Sequence, residues 1–393
     1  MTILPNDRDA SGRDLGEREL EFLFEVIRSG TLNCTKGTFT KRLELAFAAT
    51  TRKKRAVACA SGTAAIHAAL AALRLQAGDE VLTSPITDMG AVMPILYEGA
   101  VPVFCDVDPA TCNVTAQTLA ERITERTKAI VVTHLFGNPA EMAPIVRLAR
   151  EAGAALIEDC AQAFLASDDG QLVGTFGDLA CYSFQQGKHM TTGEGGMVTT
   201  DDQELADRVE RFVNKGWGYG DAKPDHDRPG LNYRLTELQS AVGLAQLEKL
   251  EGCVARRRKS AAVLTELLKG QPGLETPRIR PGSQHSYWRY TLLVDPSFVA
   301  GGTDALGARL RESGVACLPR YIQKPAFECA VFGRERARYL VMRNAREEHR
   351  ESFPGAVLGL ERILVLPWNE RYEDSHVRFV ADSVRVAATA LRR

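Results

Sequence analysis

The stretch Leu179-Ala-Cys-Tyr-Ser-Phe-Gln-Gln-Gly-Lys188-His-Met-Thr-Thr-Gly-Glu-Gly-Gly-Met-Val-Thr199 reads as two short apolar strands, Leu179–Ser183 and Gly196–Thr199. A glycine-rich turn carrying one lysine joins them. Toward the N-terminus the same kind of run recurs at Ala154–Glu158, Lys128–Thr133, Val101–Cys105, Glu80–Thr83 and Arg55–Cys59. Helical stretches separate these runs at Thr63–Leu75, 89–97 and Met142–Glu151. Near-continuous apolar strands alternating with helices predict an α/β fold with a mainly parallel sheet covered on both faces.

The alternation stops near residue 234. Leu235, Leu238, Val242, Ala245 and Leu250 then recur at helical spacing and predict one long amphipathic helix. The cluster Arg256-Arg-Arg-Lys259 reads as a solvated face of that helix. Tyr287–Val294 reads as a strand, and Thr303–Ser313 and Glu373–Leu391 as helices. These patterns divide the chain into a large α/β domain, 1–250, with an N-terminal arm, and a smaller α+β domain, 251–393.

Composition excludes several classes. Forty-nine Lys+Arg against fifty Asp+Glu leave a formal charge of −1, so no basic field exists to attract nucleic acid or an anionic membrane. Hydrophobic content of 45% and charged content of 25% are globular values, not those of a disordered chain. Met1–Glu21 lacks the apolar core of a signal peptide, and the most apolar stretch, Ala64–Leu75, is too short to span a bilayer. Nine cysteines with no Cys-x-x-Cys read as small buried hydrophobes in a reducing compartment. The seven histidines show no metal-ligand spacing. A cytoplasmic protein without a metal is expected.

Four local features lie at the ends of strands, where open α/β sheets bind ligands. Ser61-Gly62-Thr63 links a strand to a helix, and small residues there let backbone N–H groups face an anion. The same three residues also make an ordinary N-cap. Glu158-Asp159-Cys-Ala-Gln162 puts two carboxylates at a strand end, where alternation lets only one face a site. Lys188, between a strand and a glycine-rich turn, is placed for partial desolvation, which lowers an amine pKa and favours imine chemistry. Gly230-Leu-Asn232-Tyr-Arg234 opens the long helix and is, alone, an adequate turn.

In combination and in this order, the four features resemble the sugar aminotransferases of the DegT/DnrJ/EryC1/StrS group, pyridoxal 5′-phosphate (PLP) enzymes of fold type I. The resemblance covers nearly the whole chain. It implies that Lys188 binds the cofactor as an imine and then shuttles a proton. It implies that Asp159 pairs with the pyridine nitrogen and that Gln162 lies against the ring. Gly62 and Thr63 backbone groups and the Ser183 hydroxyl would hold the phosphate. Asn232 would reach the phosphate of the neighbouring subunit, so a homodimer with shared sites is expected. Glutamate or glutamine would be the amino donor, and a keto-sugar, nucleotide-linked or free, or a keto-cyclitol the acceptor.

Family members that dehydrate carry histidine in place of this lysine; here Lys188 precedes His189. Lys188 argues against that branch; a dehydratase or aromatase of the same family is the alternative reaction, and a non-catalytic cofactor-binding regulator the alternative class. One position departs from the pattern. Where the family usually has an aromatic residue after a threonine, this chain has Thr87-Asp88. A carboxylate cannot stack, so either Met89 or another side chain covers the ring, or Asp88 meets a polar group of an unusual acceptor. His189, Arg320 and Tyr321 complete the candidate substrate contacts.

Overall fold

The computed structural model describes residues 2–333 and 348–393. Seven strands form the large sheet: β1 (Arg55–Cys59), β2 (Glu80–Thr83), β3 (Val101–Phe104), β4 (Thr127–Thr133), β5 (Ala155–Asp159), β6 (Leu179–Ser183) and β7 (Gly196–Thr200). Their spatial order is β1-β7-β6-β5-β4-β2-β3. Only β7 runs antiparallel to its neighbours, so the sheet is mainly parallel as the alternation predicts. The strands are mostly apolar because helices cover both faces. Helix Gly62–Ala72 lies on one face with nearly every side chain buried, sandwiched beneath helix Gln203–Val213. Helix Phe39–Thr50 packs beside β1 and against the long helix.

That long helix runs unbroken from Glu237 to Leu268, started by a Thr236–Gln239 capping box. A division at residue 250 falls inside it. Its first half packs against helices Glu17–Ser29 and Phe39–Thr50, and it also packs against helix Asp374–Ala390. A second, four-stranded antiparallel sheet, ordered Leu274–Glu275, Arg289–Val294, Ile363–Pro367, Leu318–Pro319, belongs to the C-terminal part. Trp288, Phe327 and Phe353 share a buried cluster with Leu82, Ile130 and Leu156, so this part closes directly over one face of the large sheet.

The basic cluster is corrected. Arg257 is not on a solvated face; its side chain is 0% exposed. It donates to Glu370 Oε2 through Nε at 2.9 Å and to the Trp368 carbonyl through Nη1 at 2.5 Å. Helical phase turns Arg257 inward while Arg256 and Lys259 stay exposed. A buried guanidinium with a carboxylate partner costs about 3–5 kcal/mol to break from one side. All nine cysteines are free thiols, seven of them buried. No helix among the described residues is long and apolar enough to cross a membrane.

Candidate active site

Three adjacent strand ends build the centre of the site. β4 and β5 pair in register, Thr133 beside Asp159, so both side chains emerge together at the carboxyl edge. Thr133 Oγ1 donates to Asp159 Oδ2 at 3.3 Å, and the Ala161 N–H donates to Oδ1 at 3.0 Å. Thr87 Oγ1 lies 3.1 Å from Thr133 Oγ1 and extends the polar chain toward β2. Burial pushes the Asp159 carboxyl above its ordinary range, opposed by the Ala161 N–H and the nearby Lys188 charge. A buried carboxylate so poorly supplied with donors is suited to a cationic N–H partner.

Glu158 points the other way and is fully buried. Its carboxylate accepts from Gly174, Phe176 and Gly177 N–H at 2.7, 2.8 and 2.7 Å, and pairs with His134 Nε2 at 3.1 Å. His134 Nδ1 accepts from the Ala140 N–H at 3.1 Å, so Nε2 carries the proton and donates to Glu158. Glu158 is a structural anchor, and Asp159 is the carboxylate left for the site.

Lys188 follows β6 on the glycine-rich turn and lies half-buried in the cleft. Its Nζ sits 4.2 Å from the centroid of the Trp288 ring. Trp288 Nε1 donates to the Gly187 carbonyl at 2.7 Å, which ties the lysine turn to the C-terminal part. Burial brings the amine down to about 8, Arg289 adding to the effect while Asp159 and Asp88 oppose it. An amine at that value is partly free near neutral pH.

Beside them opens the N-terminus of helix Gly62–Ala72. Ser61 caps it, accepting from the Ala64 N–H at 3.0 Å, worth about 1 kcal/mol. A Cβ on Gly62 would lie 2.7 Å from Ser183 Cβ, so only glycine lets the helix start approach the end of β6. Gly62 is half-buried and Thr63 exposed, leaving their N–H groups turned to a partly open space beside the Ser183 hydroxyl.

Gln162 is 3% exposed and held at both ends. Its Oε1 accepts from the Phe136 N–H at 2.7 Å, and its Nε2 donates to Tyr321 Oη at 3.4 Å. Phe136 adopts φ 61°, a left-handed backbone that bulky residues avoid, so this contact is held at a conformational cost. Tyr321 packs edge-on to Phe136 at 4.8 Å and is brought to the site, its hydroxyl pushed up to about 12 by burial. Asp88 is exposed at the mouth, its carboxylate accepting from the Gly90 N–H at 2.8 Å.

Three expected residues stand apart. Arg320 pairs with Asp304 on helix Gly302–Glu312. His189 is turned inward, Nε2 3.0 Å from the Ser286 carbonyl and its ring against Phe164; burial and the nearby Arg257 charge hold it well below its ordinary pKa, against the Ser286 hydrogen bond. Among the described residues neither makes a hydrogen bond to Lys188, Asp159 or Gln162. Asn232 is exposed on the strand-like segment beside Asn214. Sequence reading missed Thr133, Trp288 and Arg289. Thr133 was detectable as the strand end next to Asp159; Trp288 and Arg289 look like any residues entering a strand.

Comparison with known proteins places this geometry. A model of the DegT/DnrJ/EryC1/StrS aminotransferase family matches residues 13–385. GDP-perosamine synthase of Escherichia coli O157:H7 is 37% identical over 277 residues, 70% of this chain and 75% of that protein. The dTDP-4-dehydro-2,3,6-trideoxy-D-glucose 4-aminotransferase of Saccharopolyspora spinosa is 33% identical over 385 residues, 95% and 94% of the two chains. An aminotransferase from Psychrobacter cryohalolentis superposes with a TM-score of 0.89 at 29% identity, covering 97% of this chain and 98% of its own. The chain belongs to the DegT/DnrJ/EryC1/StrS aminotransferase family and is an aminotransferase with that family's α/β fold.

Proposed function

We propose that this aminotransferase binds PLP and moves an amino group from glutamate or glutamine to the ketone of a nucleotide-linked sugar, acting as a cytoplasmic homodimer. The observation that carries the reading is the meeting, at one sheet edge, of the Lys188 amine, the buried Asp159 carboxylate and the open N-terminus of helix Gly62–Ala72. The residues present fit the cofactor: Gly62, Thr63 and Ser183 would hold its phosphate, Asp159 its ring nitrogen, and Lys188 its aldehyde carbon. When bound, PLP supplies an electron sink for the carbon that loses a proton.

Lys188 holds that proton on Nζ and returns it on the neighbouring carbon, a task suited to an amine poised near neutrality. Asp159 would pair with the ring nitrogen, and Thr133, donating to Oδ2, orients the carboxylate for it. Gln162, clamped by Phe136 and Tyr321, would lie against the ring. The nucleotide-linked acceptor rests on the names of the two relatives above. The exposed Asp88 carboxylate would accept from a sugar hydroxyl. A homodimer is supported by Asn232, which is exposed in one chain, and by Leu20, Phe24 and Ile27, which leave one face of helix Glu17–Ser29 apolar and exposed. The free, buried thiols favour a reducing compartment.

Purified protein loaded with PLP should show a visible absorbance band that bleaches with glutamate or glutamine. Adding keto-sugars in turn should restore it, and the nucleotide-linked ones should do so fastest. No bleaching with any amino donor would refute aminotransfer through PLP. Restoration only by free keto-sugars or keto-cyclitols would refute the nucleotide-linked acceptor.

A further inference from the structure

Three arginines and two carboxylates meet behind the lysine turn. Arg13 Nη2 lies 3.1 Å from Glu370 Oε1, and Arg257 Nη2 lies 2.6 Å from Glu370 Oε2. Asp7 is shared more thinly. Its Oδ2 accepts from Arg289 Nη1 at 3.0 Å, while Oδ1 accepts from Asn369 Nδ2 at 2.6 Å and lies 3.6 Å from Arg257. The group therefore carries one positive charge more than it has carboxylates to balance.

The surplus cannot rest comfortably on Arg13 or Arg257, whose side chains are 2% and 0% exposed and which both face Glu370. Arg13 also donates through Nη1 to the Gln186 and Lys188 carbonyls, and Arg257 to the Trp368 carbonyl. Arg289 differs. Its side chain is 15% exposed, only Nη1 makes hydrogen bonds among the described residues, and its Nε–Nη2 edge is open. Its guanidinium lies 4.4 Å from the Trp288 ring centroid, the same indole that Lys188 Nζ approaches. Asp7 and Trp288 thus fix a planar fork beside the reacting amine with one edge free.

We propose that the Nε–Nη2 edge of Arg289 binds a carboxylate of the amino donor. This rests on the aminotransferase reading above and adds the donor's anchoring group. A planar fork accepts a carboxylate through two parallel hydrogen bonds, and the pairing completes the charge balance of the cluster. An amino acid's α-carboxylate is two bonds from the nitrogen that must reach the Lys188 position, which suits a cation sharing one indole with that lysine. The diphosphate of a nucleotide sugar is the other anion available, but it lies across the sugar ring from a distant ketone.

The test compares wild type, Arg289→Gln and Arg289→Lys as PLP-loaded proteins. Glutarate, a dicarboxylate with no amine to transfer, is titrated by calorimetry. The KM values for glutamate and for the keto-sugar are measured separately. Arg289→Gln should weaken glutarate binding and raise the glutamate KM about ten- to a hundredfold, with the keto-sugar KM changed less than about twofold. Arg289→Lys, which keeps charge without the fork, should fall between. Unchanged glutarate affinity, a shift confined to the keto-sugar, or equal shifts in both KM values would overturn the assignment while leaving the aminotransferase reading intact. Wild-type protein that binds glutarate through Arg289 yet converts no donor would overturn the reading instead.

Discussion

The Lys188 ammonium faces the indole of Trp288, with Nζ 4.2 Å from the ring centroid. A ring face stabilises the charged amine, by about 0.5–1 kcal/mol at accessible sites. It therefore works with Asp159 and against burial, which has already brought the amine down to about 8. Trp288→Leu should lower the Lys188 pKa further, by roughly half a unit at 1.36 kcal/mol per unit. The pH dependence of cofactor uptake by the apoprotein measures it; an unchanged midpoint would show that the ring exerts no field on the amine.

Uptake itself should depend on pH in a definite direction. Below about 8 the Lys188 amine of the cofactor-free protein is protonated and cannot attack an aldehyde; above it the amine is free. The rate of PLP incorporation should rise from pH 7 through about 8 and then level off. A rate that climbs without levelling up to the range of an ordinary lysine would contradict the depressed value.

Lys188→Ala should abolish transamination, since both the attachment point and the proton carrier are lost. The variant should keep its fold, because Nζ makes no hydrogen bond among the described residues. Circular dichroism checks the fold and a coupled assay the activity; turnover near the wild-type rate would remove Lys188 from the mechanism.

Adjacent carboxylates should give opposite phenotypes. Asp159→Asn should fold and lose several orders of magnitude in rate, each factor of ten being about 1.4 kcal/mol of barrier. Glu158→Gln should instead lower the melting temperature. Its new NH2 would face one or more of the Gly174, Phe176 and Gly177 N–H donors, at about 1–3 kcal/mol for each group left unpaired. Thermal unfolding and turnover, measured on both variants, separate the roles; the reverse pattern would exchange them.

Asn232→Ala tests the shared site. Loss of a charge-assisted hydrogen bond to phosphate, worth about 1.5–3 kcal/mol, should weaken PLP retention roughly ten- to a hundredfold while the dimer persists. Mixed with Lys188→Ala chains, the variant should form heterodimers with one wild-type site, because that site takes Asn232 from the other chain. Retention in the heterodimer no better than in the Asn232→Ala homodimer would exclude sharing.

The fold class was legible because each β-strand of the large sheet is a local apolar run closed by a local turn. Arg55–Cys59 and Leu179–Ser183 have in the structure the bounds their composition predicts, and Met142–Glu151 does as well. Strand ends also revealed the neighbourhood of Ser61, Asp159 and Lys188, since parallel strands gather their carboxyl ends on one edge. What local sequence could not determine is which side chains face inward on elements with charged residues on every side. Arg257 looks no different from Arg256, yet packing against Glu370 and Trp368 makes one a buried ion and leaves the other in water. The choice between Glu158 and Asp159 was likewise decided by tertiary structure, by the three N–H groups of the Gly174–Gly177 turn that claim the first. Trp288 and Arg289 reach Lys188 across a hundred residues of chain, through the closure of one sheet over another. Secondary structure follows from propensities a few residues long, whereas burial of a charge is settled only when a distant partner arrives to offset its desolvation.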